Sequence, residues 1–207
     1  GMSGVHSLPQ PHCAWLTLDQ GDDDLACFIR YLVAAFRRIQ PGLGDGLLTA
    51  LQTPHPASPQ TLATLVINAL TEISGRVLLV LDDYHLITTQ PVHDFFSFLI
   101  EHQPPQLCVI LASRADPPLP LARWRARGQL LEVRQEDLHF TQAESAAFFA
   151  GALDVPLTAA QLQALEQRTE GWGAGLHLAA LSMRHAVDVP AFIHTFSGGQ
   201  EHIADYW

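Results

Sequence analysis

Two adjacent carboxylates, Asp82 and Asp83, close the apolar run Val77-Leu-Leu-Val-Leu81, and their types and place suit them to metal and water chemistry. An unbroken apolar run is what a strand shows when helices cover both its faces, and such a strand ends at the carboxyl edge of a parallel sheet, where ligands bind. A carboxylate there holds Mg²⁺ through the ion's water shell, the role expected of Asp82. A second acid orients an attacking water, the role expected of Asp83. By itself the pair says little, because many buried strands end in Asp-Asp merely where the chain meets solvent. A second signal lies at Leu107 to Ala112, another apolar run, which ends in Ser113 and Arg114. An arginine in that position senses a terminal phosphate beside the acid pair. The bland alternative for Arg114 is a surface salt bridge.

Other chemistries are excluded by what these residues lack. All 11 basic residues are Arg, so no mechanism here uses a lysine of its own, neither a Schiff base nor the phosphate-reaching Lys of a complete P-loop. A formal charge of −10 and a pI near 5.4 argue against the basic footprint of a nucleic-acid-binding domain. Arg123, Arg125 and Arg127 form the one local basic cluster, which reads as a solvated loop or helix end. Of 11 histidines, His85, His93, His177, His185, His194 and His202 lack ligand spacing and read as solvated or satisfied. Cys13, Cys27 and Cys108 are odd in number and far apart, which fits neither a zinc site nor a disulfide framework and points to a reducing cytoplasmic location. Met2 to Pro11 has neither the basic nor the apolar region of a signal peptide, and Gly1 reads as a cloning remnant. Ser113 has no nucleophile elbow around it and no base partner visible in the sequence.

The elements that must position the acid pair follow from periodicity. With 207 residues, 48% apolar and 15% charged, the chain is expected to form a soluble globular domain with a small appendage, burying roughly 70% of its unfolded surface. Cys13 to Leu18 reads as a buried strand. Leu25, Phe28, Leu32, Val33 and Phe36 mark a helix begun by Asp22, Asp23 and Asp24 and ended by Pro41, Gly42 and Gly44. Leu62, Leu65, Val66, Ala69, Leu70 and Ile73 stripe a second helix that stops at Gly75. Pro91 starts a third, carrying Val92, Phe95, Phe96, Leu99 and Ile100, before the strand at Leu107 to Ala112. A short helical piece around Trp124 and an edge strand at Leu130 to Val133 follow. Strand, helix, strand alternation means a parallel α/β sheet. After about residue 140 the pattern is helical only, with capping boxes at Thr141/Glu144 and Thr158/Gln161, a helix opened by Gly171-Trp-Gly and running to about Arg184, and a weak final pair at Phe192, Phe196 and Ile203.

Taken in order, Val-Leu-Leu-Val-Leu-Asp-Asp-Tyr-His-Leu-Ile, Val-Ile-Leu-Ala-Ser-Arg-Ala-Asp-Pro-Pro, Leu-His-Phe-Thr-Gln-Ala-Glu and Gly-Trp-Gly-Ala-Gly-Leu-His-Leu form a specific series. It closely resembles the ATPase module of the large LuxR-type, maltose-regulator-like transcriptional activators, from about Ala14 to Ala204-Asp-Tyr. The resemblance implies a signal-transduction ATPase whose nucleotide-dependent switch controls oligomerisation, while a separate helix-turn-helix binds DNA. It makes Asp82 and Asp83 the Walker B acids and Arg114 the sensor arginine. Gly175 and Leu176 fall where related ATPases carry Gly-Leu-Pro-Leu near the adenine, and His177 replaces that proline. ATP or ADP with Mg²⁺ are the ligands implied for the family.

The same resemblance puts a first strand and a Walker A loop ahead of Cys13, and the twelve residues there contain no such loop. The expectation is therefore an incomplete P-loop NTPase-like α/β core over residues 12–137 and a small all-helical subdomain over 138–207. This chain alone is expected to bind no cofactor, hydrolyse no ATP and contact neither nucleic acid nor membrane, as a fragment of such a regulator or as a non-catalytic interaction module with the same fold. Its expected partners are a second copy of itself or other segments of the parent regulator. Because the missing strand belongs between those at Leu107 and Leu130, these two are expected either to pair directly or to leave a gap that another chain fills.

Overall fold

The computed structural model describes residues 10–53, 57–153, 156–184 and 188–196. It divides into two compact units, Gly1–Arg127 and Gly128–Trp207, and the composition change near 138 lies inside the second. His185, His202, Ile203 and residues 1–9, where neither a signal peptide nor a Walker A loop is read, lie outside the described residues.

The first unit is a parallel sheet of β1 (His12–Thr17), β2 (Val77–Asp82) and β3 (Leu107–Leu111), in that spatial order. Helices α1 (Leu25–Arg37), α2 (Asp45–Ala50), α3 (Pro59–Thr71), α4 (Gln90–Glu101) and α5 (Leu121–Ala126) accompany it. This is an α/β, P-loop-like architecture: strands joined by helical crossovers must run parallel. Ends are set by local chemistry. Asp24 caps α1 by accepting the Cys27 N–H at 2.9 Å, and Ser58 caps α3, with Pro59 in its first turn, by accepting from Thr61. At its far end, Arg37 donates to the Leu43 carbonyl at 2.9 Å and pairs with Asp45, which ties α1 to α2.

The core lies on one side of the sheet. Ala14, Val77, Leu79, Leu81 and Leu107 pack with Phe28, Ile29 and Leu32 of α1, Leu62 and Val66 of α3, and Phe95, Phe96 and Leu99 of α4. In β2 the expected burial on both faces is largely met, with Leu79 and Leu81 buried on one face and Val80, 5% exposed, on the other; the expected burial of β1 is not met at Cys13 and Trp15. Cys13, Trp15, Cys108 and Ile110 point the other way and are exposed, Trp15 by 57% and Ile110 by 48%, while Val80, in register between Trp15 and Ile110, is buried. A strand with one covered face shows alternate burial, and β1 does so with Ala14 buried between Cys13 and Trp15.

Leu130 to Val133 is the second correction. It forms no strand, and Leu131 is 90% exposed and Val133 61%. A β-rich sequence needs a ladder partner to become a strand, and none of the described residues supplies one. Direct pairing of this segment with β3, one of the two expected outcomes, is therefore not formed among the described residues, where β3 is one edge of the sheet.

The second unit is helical: α6 (Gln135–Leu138), α7 (Gln142–Ala152), α8 (Ala159–Thr169), α9 (Gly173–Met183) and α10 (Val189–Thr195). Both expected capping boxes form, Thr141 with Glu144 and Thr158 with Gln161. Phe149, Leu165, Leu176, Ala179, Ala180, Met183 and Ile193 make its core.

Candidate functional site

Backbone ladders fix the acid pair at the carboxyl end of β2. Leu18 donates its N–H to the Asp82 carbonyl at 3.0 Å, Ala112 to the Leu81 carbonyl at 2.9 Å, and Tyr84 to the Ala112 carbonyl at 3.0 Å. Asp82 thus sits between the exits of β1 and β3, with Leu81 in register with Leu111. Its Oδ1 accepts the Asp83 N–H at 3.0 Å. Asp83 is in the left-handed region, at φ 57° and ψ 36°, which turns the chain out of the strand and into a 3₁₀ turn at Tyr84–Leu86. Aspartate is one of the few non-glycine residues to tolerate that conformation. The Asp83 carboxylate, 40% exposed, lies 3.8 Å from His85 Nδ1, beyond hydrogen-bonding range.

Arg114 follows β3 three residues beyond Leu111, at the same end of the sheet, and is exposed. Among the described residues it forms no ion pair, so the surface salt bridge weighed for it is not made. Gly175, Leu176 and His177 lie in the first half of α9, in the other unit. Gly175 and Leu176 are buried in the helical core and His177 is exposed.

Mg²⁺ takes hard oxygen ligands and keeps several waters, and one or two carboxylates suffice for it beside substrate phosphates. Asp82 and Asp83 fit that donor set. Among the described residues no group of three or more His, Cys, Asp or Glu is placed to hold a metal ion by itself.

Two arrangements behind the acid pair escape sequence reasoning. Asp23, in the turn before α1, accepts hydrogen bonds from the Thr88 N–H at 2.7 Å, the Thr88 hydroxyl at 2.5 Å and the Thr89 N–H at 2.8 Å, pinning the start of α4. Tyr84 places its hydroxyl 3.0 Å from Nδ1 of His93, deep in the unit. Neither has a local signal: the partners of Asp23 are 65 and 66 residues away.

A parallel sheet with an acid pair at its carboxyl edge and an arginine beyond the neighbouring strand defines the class, a P-loop-like α/β unit carried with a helical one. No family model matches the chain. Over 175 residues, 84% of its length, it is 38% identical to the HTH-type transcriptional regulator MalT of Yersinia enterocolitica (serotype O:8 / biotype 1B). The chain is thereby related to MalT-like regulators. The matched stretch is 19% of that relative, so the chain spans about a fifth of its length. No helix among the described residues is long and apolar enough to cross a membrane.

Proposed function

We propose that this chain is part of the nucleotide-dependent switch module of a cytoplasmic LuxR-type transcriptional regulator, with ATP or ADP and Mg²⁺ as the ligands of the whole module. The observation that carries the reading is the β2–β3 ladder, which brings Asp82, Asp83 and Arg114 to one end of the sheet in a chain related to MalT. In this reading Asp82 binds the metal's water shell, Asp83 orients a water and Arg114 contacts the terminal phosphate, while Gly175, Leu176 and His177 mark the adenine side. Bound Mg²⁺ supplies neutralisation of phosphate charge. The 207 residues contain no lysine to anchor a triphosphate, so by themselves they are expected to neither hydrolyse ATP nor bind DNA.

A second reading, a non-catalytic interaction module with the same fold, is favoured by the exposed Cys13, Trp15 and Ile110 on one sheet face and by the edge of β3, which no described strand pairs. Its partner is a second copy or another segment of the regulator. Calorimetric titration of Mg-ATP and Mg-ADP, with Asp82→Ala and Arg114→Ala alongside, separates the two. Saturable binding weakened by either substitution supports the nucleotide site within these residues. Heat-silent titrations favour the interaction module.

A further inference from the structure

Tyr84 leaves the acid pair for the interior. Its side chain is fully buried, its ring packs on Phe96 with 5.4 Å between centroids, and its hydroxyl meets Nδ1 of His93 at 3.0 Å. His93, in the first turn of α4, is 2% exposed, and its Nε2 is sealed from solvent without a hydrogen-bond partner among the described residues.

The pocket accepts one proton on this imidazole and has no provision for a second. The charged groups that face it are Asp23, from the turn before α1, and Asp94, on α4 itself. Both are engaged elsewhere: Asp23 with Thr88 and Thr89, and Asp94 with the Gln90 amide at 2.8 Å. Neither hydrogen-bonds Nε2, so an imidazolium would be a buried cation with one of its two N–H groups unmatched.

We propose that Tyr84 and His93 form a proton-operated latch on the segment from Asp83 to the first turn of α4: closed while the imidazole is neutral, and opened to water when His93 takes up a proton. The latch goes beyond the nucleotide reading, since it needs no ligand. It bears on the acid pair directly, because Tyr84 follows Asp83 and its N–H holds the exit of β3 through Ala112.

The sign follows from linkage. Burial lowers the His93 pKa from 6.5, with Asp23 and Asp94 pulling weakly the other way. The closed state is therefore at full strength above 6.5 and loses ground as pH falls below it. Preferential proton uptake by the open state between pH 8 and pH 5 raises the open population, by at most about thirtyfold.

Native-state hydrogen exchange on the full chain reads this at the amides of Tyr84, Leu86 and His93, all hydrogen-bonded in the closed state. After correction for intrinsic rates, their protection is expected to fall from pH 8 to pH 5, by at most about thirtyfold, with α3 little changed, and to stay flat in His93→Gln. An unchanged protection in the wild type, the same fall in His93→Gln, or an equal fall across α3 overturns the latch. The wild type also tests it alone by NMR. A His93 ring that titrates near pH 6.5 while these amides stay protected overturns it, and one that stays neutral until they open supports it.

Discussion

Asp23→Asn is the substitution whose effect can be worked from the structure. The carboxylate of Asp23 receives three hydrogen bonds from Thr88 and Thr89, tying the turn before α1 to the start of α4. Partial burial pushes its pKa up; the bonds from the Thr88 hydroxyl and the Thr88 and Thr89 amides outweigh that and bring it from 3.8 down to about 2. In full, such a shift corresponds to about 2.5 kcal/mol. The group is only partly buried, and screening by solvent reduces the expected contribution to about 1–1.5 kcal/mol. Because the folded pKa is depressed, this stabilisation is present above pH 3.8 and is lost as pH falls toward 2. At pH 3 about half of it is left. Asparagine keeps one acceptor and gives up the charge. Urea unfolding should therefore show Asp23→Asn less stable by about 1–1.5 kcal/mol at pH 7, with the gap to wild type about halved at pH 3. Equal stability at pH 7, or a gap that does not change down to pH 3, would refute the reasoning.

Two further predictions concern packing and exposure. Gly171 has φ 74°, and a Cβ there would sit 2.7 Å from the Phe140 carbonyl oxygen, so Gly171→Ala should cost the helical unit at least about 2 kcal/mol in thermal unfolding. A thiol reagent followed by peptide mass spectrometry should modify exposed Cys13 and Cys108 first and Cys27 last, since burial, together with Asp22 and Asp24, pushes the Cys27 thiol pKa up. Protection of Cys13 and Cys108 would show that their face of the sheet is covered.

The legible parts of the fold were those written locally. The apolar stripes of α1, α3 and α4 and the Thr/Glu and Thr/Gln capping boxes are short-range patterns, and the helices form where they predict. Helix α2 escapes the sequence pattern because Pro41, Gly42 and Gly44 read as breakers, whereas Gly44 takes a left-handed turn and becomes its N-cap. Residues 130–133 were over-read because β-propensity describes a residue's fit to a sheet, and no neighbouring strand is described for them. Burial of Trp15 was over-read for a similar reason: an apolar run does not tell which faces are covered. In the site, placement at strand ends was legible for Asp82, Asp83 and Arg114. The Asp23–Thr88 and Tyr84–His93 contacts were not, since side chains from separate elements meet only once the core has packed.

The exposed Trp15 and Ile110 on the sheet also set a calorimetric signature. Trp15 and Ile110 stay wet in the folded unit, so unfolding adds little to their hydration, and the heat capacity of unfolding should fall short of that for a sheet covered on both faces. The missing part would reappear on the binding side. Any partner that seats on that face removes indole and aliphatic surface from water, giving association a negative heat-capacity change and shifting the Trp15 emission to the blue.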